Sequence, residues 1–226
     1  MTRLYIVRHC EARGNIDRIF QGHTDADISE KGARQLEKLA QRFAGIPLDA
    51  VYTSPLRRAR LTADAVNRAH GLPVHIEQGL IEIDGGALEG KPWANFPQEY
   101  PAEARAWCVD PGAFQAPGGE SMREVYERVR DATLRIVRAH PGQTVAAASH
   151  GCAIRNLLCF AHGLPVERID EIEWCDNTAV SLLEFGDDLV PKVVFENDTS
   201  HLSDELSTLS GQSWWKKENL MNLKFE

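Results

Sequence analysis

Three short apolar runs, at residues 4–7, 50–53 and 145–149, each give way to a polar loop and then to a segment with helical periodicity. Runs this short and this apolar suit strands buried on both faces. Strands that alternate with helices build a largely parallel sheet covered by helices on both sides. The helical segments carry their own boundaries. Ser29 reads as an N-cap, Leu36, Leu39, Ala40 and Phe43 recur at helical spacing, and Gly45 and Pro47 stop the helix. A second helix has Ser54 as its cap, Pro55 near the first turn and Gly71 past its end. A third opens on a capping box, Ser121 to Glu124, and places Val125, Val129, Leu134 and Val137 inward. A fourth covers 153–162 and ends at Gly163. Further strands are expected at 74–76, 180–185 and 190–195, the last two joined by a Gly-Asp-Asp turn.

With 226 residues the chain is long enough for one domain with a sizeable core. The expected architecture is a three-layer αβα sandwich with a predominantly parallel central sheet. Residues 80–119, rich in Gly, Pro and aromatics, form a small lid insertion with some helix. Residues 1–197 make up the domain, and 198–226 are a polar tail carrying Trp214 and Trp215. A net charge of −8 argues against nucleic acid or an anionic membrane as a partner. The apolar patch at 4–7 is too short for a signal peptide, and no run approaches the ~18 apolar residues of a membrane span. Five cysteines, Cys10, Cys108, Cys152, Cys159 and Cys175, include no C-x-x-C pair. That pattern fits a reducing compartment, with no disulfide framework and no zinc site. A cytoplasmic location is expected.

The first run ends on Arg8 and His9, and the third on His150 and Gly151. Such residues are costly to bury unless they face a pocket. Ligands of open α/β sheets sit at the carboxyl ends of strands, so both histidines should open onto one sheet edge. Arg58 and Glu82 join them there. Arginine forks match phosphate oxygens, and a neutral imidazole is a competent nucleophile toward phosphorus. Packed arginines would keep His9 neutral. Glu82 is placed to protonate a leaving oxygen, with Asp84 and Glu89 as neighbouring rivals, and His150 and the Gly151 N–H could donate to phosphoryl oxygens. Arg57, Arg60 and Arg68 share one helical face and read as solvated, whereas Arg58 lies off it. A metal-dependent hydrolase built on His9, Glu11, Asp25 and His150 is a rival, weakened by the lack of a ligand spacing. A catalytically silent phosphate-binding module is another.

The segment "LYIVRHCEARGN" resembles the R-H-G motif of the histidine phosphatase superfamily, the phosphoglycerate mutase-like clan. "FQGHTDADISEKGARQ", "YTSPLRRARLTA", "LIEIDGGALEG" and "ASHGCAIRNLL" resemble that family's later blocks in the family's order, over Thr2 to about Phe185. The resemblance implies that His9 is phosphorylated, that Arg8, Arg58 and His150 form the phosphate pocket, and that Glu82 donates the proton. It further implies that Asn15 contacts the phosphate, that Gln21 and Gly22 lie close to the substrate, and that no metal or other cofactor is needed. The implied activity is a metal-independent, histidine acid phosphatase-type phosphomonoesterase acting on a small phosphorylated metabolite. A phosphoglycerate mutase is the alternative. The segment between Glu82 and His150 is short for a mutase and lacks a recognisable arginine pair, offering Trp93, Phe96, Tyr100 and Trp107 instead. These aromatics are read either as a lid or as a satellite core. Cys10 stands where the family most often has glycine. If that position required φ > 0, cysteine would be strained there. Beside two arginines its thiol pKa should fall, inviting oxidation. The natural substrate stays open among sugar phosphates, nucleotide-like phosphates and α-ribazole phosphate, and a homodimer is an open alternative to a monomer.

Overall fold

The structure is a computed structural model, and it describes residues 1–209. The strands are β1 (Thr2–Arg8), β2 (Ala50–Thr53), β3 (Val74–Ile76), β4 (Thr144–Ser149), β5 (Val180–Phe185) and β6 (Pro191–Asp198). The α-helices are α1 (Arg13–Ile16), α2 (Glu30–Phe43), α3 (Arg57–Asn67), α4 (Phe96–Glu99), α5 (Pro101–Val109), α6 (Met122–Ala139) and α7 (Gly151–Ala161). One sheet holds all six strands in the order β3-β2-β4-β1-β5-β6. β3, β2, β4 and β1 pair in parallel, while β5 runs antiparallel to β1 and β6 antiparallel to β5. The sheet is thus mostly parallel with an antiparallel hairpin on one side.

Strand alternation sorts the core into two layers. Leu4 and Ile6 of β1, with Val145 and Ala147 of β4, pack with Val125, Val129 and Ile136 of α6 and Ile154 and Leu158 of α7. Val7 and Ala146 point to the other face and meet Leu36, Leu39 and Phe43 of α2 and Val66 of α3. This is the expected αβα sandwich. The Ser121–Glu124 capping box forms as expected, and Ser29 caps α2 by accepting from the Gly32 N–H at 2.9 Å.

Three boundaries differ from the sequence reading. α7 begins at Gly151, directly after His150, so the histidine itself is the N-cap. β6 extends to Asp198. Ser54 is not the cap of α3: the helix starts at Arg57 with Leu56 in the cap position. The Ser54 hydroxyl instead lies 2.6 Å from His150 Nε2. A serine at the end of a strand is an equally good partner for a buried ring nitrogen, and the tertiary contact wins over the local one.

Residues 80–119 hold α4, α5 and several 3₁₀ turns. Phe20, Trp93, Phe96, Trp107 and Phe114 gather there, with ring centroids 4.8–5.9 Å apart in contacting pairs. They join the layer under α6 and α7, so the aromatics are continuous with the core. Trp214 and Trp215 lie outside the described residues.

Candidate active site

The register of β1 against β4 pairs Arg8 with Ser149, so His9 and His150 follow the paired ends of two adjacent strands. The His9 N–H donates to the Ser149 carbonyl at 2.9 Å. The two imidazoles end 5.1 Å apart between ring centroids. Both are buried, His9 at 3% exposure and His150 at 0%.

The neighbours fix the tautomer of His9. Its Nδ1 lies 2.6 Å from the Cys10 carbonyl oxygen. A carbonyl can only accept, so Nδ1 carries the proton and Nε2 keeps its lone pair. Burial holds the His9 pKa well below the ordinary histidine value, and the Arg58 and Arg8 charges push the same way. The sequence reading named the arginines as the cause; burial is the larger one. His150 is also held well below the ordinary value, by burial first and by Arg58 next.

Those shifts make a testable statement about stability. Neutral His9 and His150 in the folded state face unfolded-state histidines that protonate near pH 6.5, so the unfolded state binds more protons as pH falls. Stability is then present above that pH and drains below it, by up to about 1.4 kcal/mol per pH unit for each histidine. The melting temperature is expected to drop steadily from pH 7 to pH 5. His9→Asn should flatten part of that drop. An unchanged pH slope in the variant would contradict the burial of a neutral ring.

Around His9 stand two guanidinium groups. Arg8 ends β1, and its Nη1 donates to the Cys175 carbonyl at 2.5 Å. Arg58, in the first turn of α3, donates from Nη1 to the Thr24 carbonyl and from Nη2 to the Gly22 carbonyl, each at 2.7 Å. Arg8 Nε, Arg58 Nε and His150 Nδ1 are buried and have no protein partner. Buried donors are normally satisfied, and leaving one unpaired costs about 1–3 kcal/mol. Three such nitrogens around one imidazole are suited to the oxygens of an anion.

A cleft opens over His9, and Arg8, Asn15, Gln21, Gly22, Arg58, Glu82 and Gly151 all line it. The expected residues therefore come together; His150 lies behind, against His9 and Ser54. Asn15 Oδ1 accepts from the Ala12 N–H at 3.0 Å, which fixes its side chain at the start of α1. Gly22 sits at φ +45°, and a Cβ there would stand 1.9 Å from Glu89 Oε1. The Glu82 carboxylate accepts from the N–H groups of Cys152 and Ala153 at 3.2 and 3.1 Å, at the positive end of α7. It also accepts from its neighbour Ile83 at 2.9 Å.

The rival carboxylate Glu89 is engaged elsewhere. It accepts from the backbone N–H groups of His23, Thr24 and Gly85, and from the Thr24 hydroxyl. It thereby pins the loop whose carbonyls hold Arg58. Asp84 accepts from the Gly86 N–H at 2.9 Å, a local turn bond. Arg128 of α6 donates to the carbonyls of Gly79, Ile81 and Glu82, fixing the backbone that presents Glu82. Trp174 joins Trp93, Trp107 and Phe20 on the cleft wall, with its ring centroid 5.8 Å from that of Trp107 and 4.7 Å from the Arg155 guanidinium carbon. Sequence reading passed over Arg128 and Trp174. Each acts through contacts far along the chain, and neither carries a local signal.

Two expectations need correction or resolution. Cys10 does not have a lowered thiol pKa: burial pushes it up to about 12, outweighing the Arg58 charge. Its side chain packs on the α2 side among Val7, Leu36 and Phe43, because Cys10 lies past the end of β1, where the alternation that would group it with Arg8 no longer applies. Nor is it strained, since Cys10 is absent from the residues of positive φ. The ligand set of the metal-dependent rival is dispersed. Glu11 accepts from the Ser29 hydroxyl and Asp25 from the Arg57 N–H. Among the described residues no three His, Cys, Asp or Glu side chains gather as a metal site. Arg57 and Arg60 are exposed and Arg57 pairs with Asp27, in keeping with a solvated face.

The family model of the histidine phosphatase superfamily (branch 1) matches residues 4–199. The chain belongs to that superfamily. Phosphoserine phosphatase 1 of Hydrogenobacter thermophilus is 35% identical over 183 residues, 81% of this chain and 86% of that one. A probable phosphoglycerate mutase GpmB of Cronobacter sakazakii is 33% identical over 165 residues, covering 73% and 77%. Among solved structures, YhfR of Bacillus stearothermophilus superposes with a TM-score of 0.86 at 30% identity, over 90% of this chain and 100% of that one. Phosphatase relatives of this kind support a phosphomonoesterase, and the mutase relative leaves phosphoryl transfer as the alternative. Among the described residues of this histidine phosphatase no helix is long and apolar enough to cross a membrane.

Proposed function

We propose that the enzyme hydrolyses the phosphate ester of a small metabolite through a phosphohistidine at His9. Nε2 of His9 attacks phosphorus, the bond to the leaving oxygen breaks, and Glu82 supplies the proton that the leaving group needs. Water then attacks the phosphorus–nitrogen bond and gives a proton back to Glu82, releasing inorganic phosphate and restoring the imidazole. Arg8, Arg58, Asn15 and His150 hold the phosphoryl oxygens through both steps, with Gln21, Gly22 and Gly151 around the substrate. No metal or cofactor has a part in this scheme. The observation that carries it is the 2.6 Å bond from His9 Nδ1 to the Cys10 carbonyl, which leaves Nε2 unprotonated beside two arginines. The leaving group would pack on the wall of Phe20, Trp93, Trp107 and Trp174. Because one relative is a phosphoserine phosphatase, phosphoserine is the first natural ester to assay. Five free cysteines fit a reducing, cytoplasmic setting.

The test is to mix the enzyme with 4-nitrophenyl phosphate, quench in denaturant at alkaline pH, and map the phosphoryl group by mass spectrometry. An acid-labile group on the peptide containing His9 is expected. A label on another residue, or none during turnover, would sink the scheme. The mutase relative motivates one second assay, for interconversion of phosphoglycerates with added bisphosphoglycerate. Release of free phosphate without interconversion is expected.

A further inference from the structure

Arg8 and His9 lie at the very end of β1, where the ladder to β4 runs out after the Arg8–Ser149 pair and the His9 N–H bond to the Ser149 carbonyl. On their other side they are gripped by the loop 175–178. Asn177 Nδ2 donates to the His9 carbonyl at 2.9 Å, and the Thr178 N–H donates to the Arg8 carbonyl at 3.1 Å. The Cys175 carbonyl accepts from Arg8 Nη1 at 2.5 Å. Three hydrogen bonds from residues 175, 177 and 178 to one nucleophile segment make this loop its seat.

The loop is not a relaxed one. Thr178 has φ +57°. A β-branched residue in the left-handed region is an outlier that persists only where its surroundings over-determine it. Those surroundings come from far along the chain. The Asp176 carboxylate accepts from the N–H groups of Thr208 and Leu209 at 3.0 and 3.1 Å and from the Ser207 hydroxyl at 2.6 Å. The Thr208 hydroxyl stands 2.5 Å from Asp176 Oδ1 and 2.6 Å from Asn177 Oδ1. That second contact matters for orientation. It turns the Asn177 amide oxygen toward Thr208, and so directs the amide nitrogen to the His9 carbonyl. Asp176 and Thr208 are buried, yet neither lines the cleft.

We propose that residues 207–209 are a clamp for catalysis, in which Thr208, through Asp176 and Asn177, is a positioning residue for Arg8 and His9. The inference rests on the phosphohistidine scheme for its kinetic consequence. It extends that scheme by tying the nucleophile to a segment beyond the 4–199 span that the family model matches. A nucleophile misplaced by a fraction of an ångström loses much of the advantage of being held in line, and a shift of about 1 Å can cost about 10²-fold. Release of the segment would lower turnover without touching any group that meets substrate.

The experiment compares the full-length enzyme with Thr208→Val, Thr208→Ser and Asp176→Asn, each assayed well below its own melting temperature. The readouts are kcat and KM for 4-nitrophenyl phosphate and the affinity for inorganic phosphate by calorimetry. Thr208→Val keeps the side-chain shape and loses the hydroxyl; its kcat is expected to fall about tenfold or more, with weaker phosphate binding. Asp176→Asn should follow it, and Thr208→Ser should restore wild-type values. A Thr208→Val enzyme with unchanged kcat and unchanged phosphate affinity overturns the clamp, whether or not its melting temperature falls. Should Thr208→Val fail to fold, Asp176→Asn is judged by the same two readouts. If the wild-type protein itself does not turn over the ester, the phosphohistidine scheme fails. The clamp is then judged on phosphate affinity alone, where equal binding by wild type and variant overturns it.

Discussion

His9→Asn is expected to abolish turnover while leaving the fold and the phosphate grip in place. The asparagine amide nitrogen reaches roughly the position of the imidazole Nδ1, so it can still donate to the Cys10 carbonyl that now lies 2.6 Å from that atom. What it lacks is a second nitrogen with a free lone pair. No neighbour can take over. His150 is committed to Ser54 through Nε2, and its Nδ1 is the protonated nitrogen if the serine hydroxyl donates to it. Removing a covalent nucleophile typically costs on the order of 10⁴–10⁶ in kcat, and the loss should appear in kcat rather than in binding. The variant also removes a group whose neutral form is favoured by burial and by two cations, so inorganic phosphate should bind it at least as well as wild type. Steady-state kinetics on an aryl phosphate with calorimetry on phosphate would check both halves. A variant retaining more than about 1% of kcat would place the nucleophile elsewhere.

Much of this site was legible because its chemistry sits where strands stop. The apolar run at residues 4–7 identifies β1, and an arginine and a histidine immediately after it are too costly to bury without a purpose. The same signature at Ser149 and His150 gave the second strand end, and the parallel register then brought both rings to one edge. Arg58 was separable from Arg57 and Arg60 because helical periodicity puts it on another face, and it is indeed the fully buried one. What stayed hidden shares a different physical character. Arg128, Asp176 and Thr208, and the bracing role of Glu89, which the sequence offers only as a rival carboxylate, depend on hydrogen bonds to groups that lie distant in sequence or are presented by irregular loops. Such bonds leave no period and no spacing in the sequence. Cys10 misled for a related reason: closeness to Arg8 along the chain suggested a cationic setting, but the chain leaves the strand after Arg8 and the thiol packs into the apolar layer under α2. The aromatics of residues 93–107 could be read as lid or as core, and the packing makes them part of the core. Trp93 and Trp107 line the cleft while touching each other within the core.

Arg58→Ala is expected to lower kcat/KM by roughly 10³, and Arg58→Lys should recover little of it. The guanidinium does three jobs with separate nitrogens. Nη1 and Nη2 tie down the carbonyls of Thr24 and Gly22, and Nε is left without a protein partner beside the cleft. Lysine brings one ammonium on a flexible stem, which cannot bridge two carbonyls and still reach an anion with a fixed geometry. Loss of the bridge frees the loop at residues 22–24 from one side, leaving it held by Glu89 and by the 2.8 Å contact of His23 Nε2 with the Glu82 carbonyl. The charge has a further consequence. Arg58 is the largest charge-based cause of the low His9 pKa, second only to burial, so its removal should raise that pKa part of the way toward the ordinary value. Catalysis needs the neutral ring, and protonation would remove the lone pair from Nε2. The wild-type kcat/KM profile should therefore show no loss attributable to His9 near pH 6.5. In Arg58→Ala the acid limb should move upward in pH, toward that value. A profile that keeps its acid limb while the rate falls would mean that Arg58 grips the phosphoryl group without tuning the nucleophile. A rate within about tenfold of wild type would mean that it does neither.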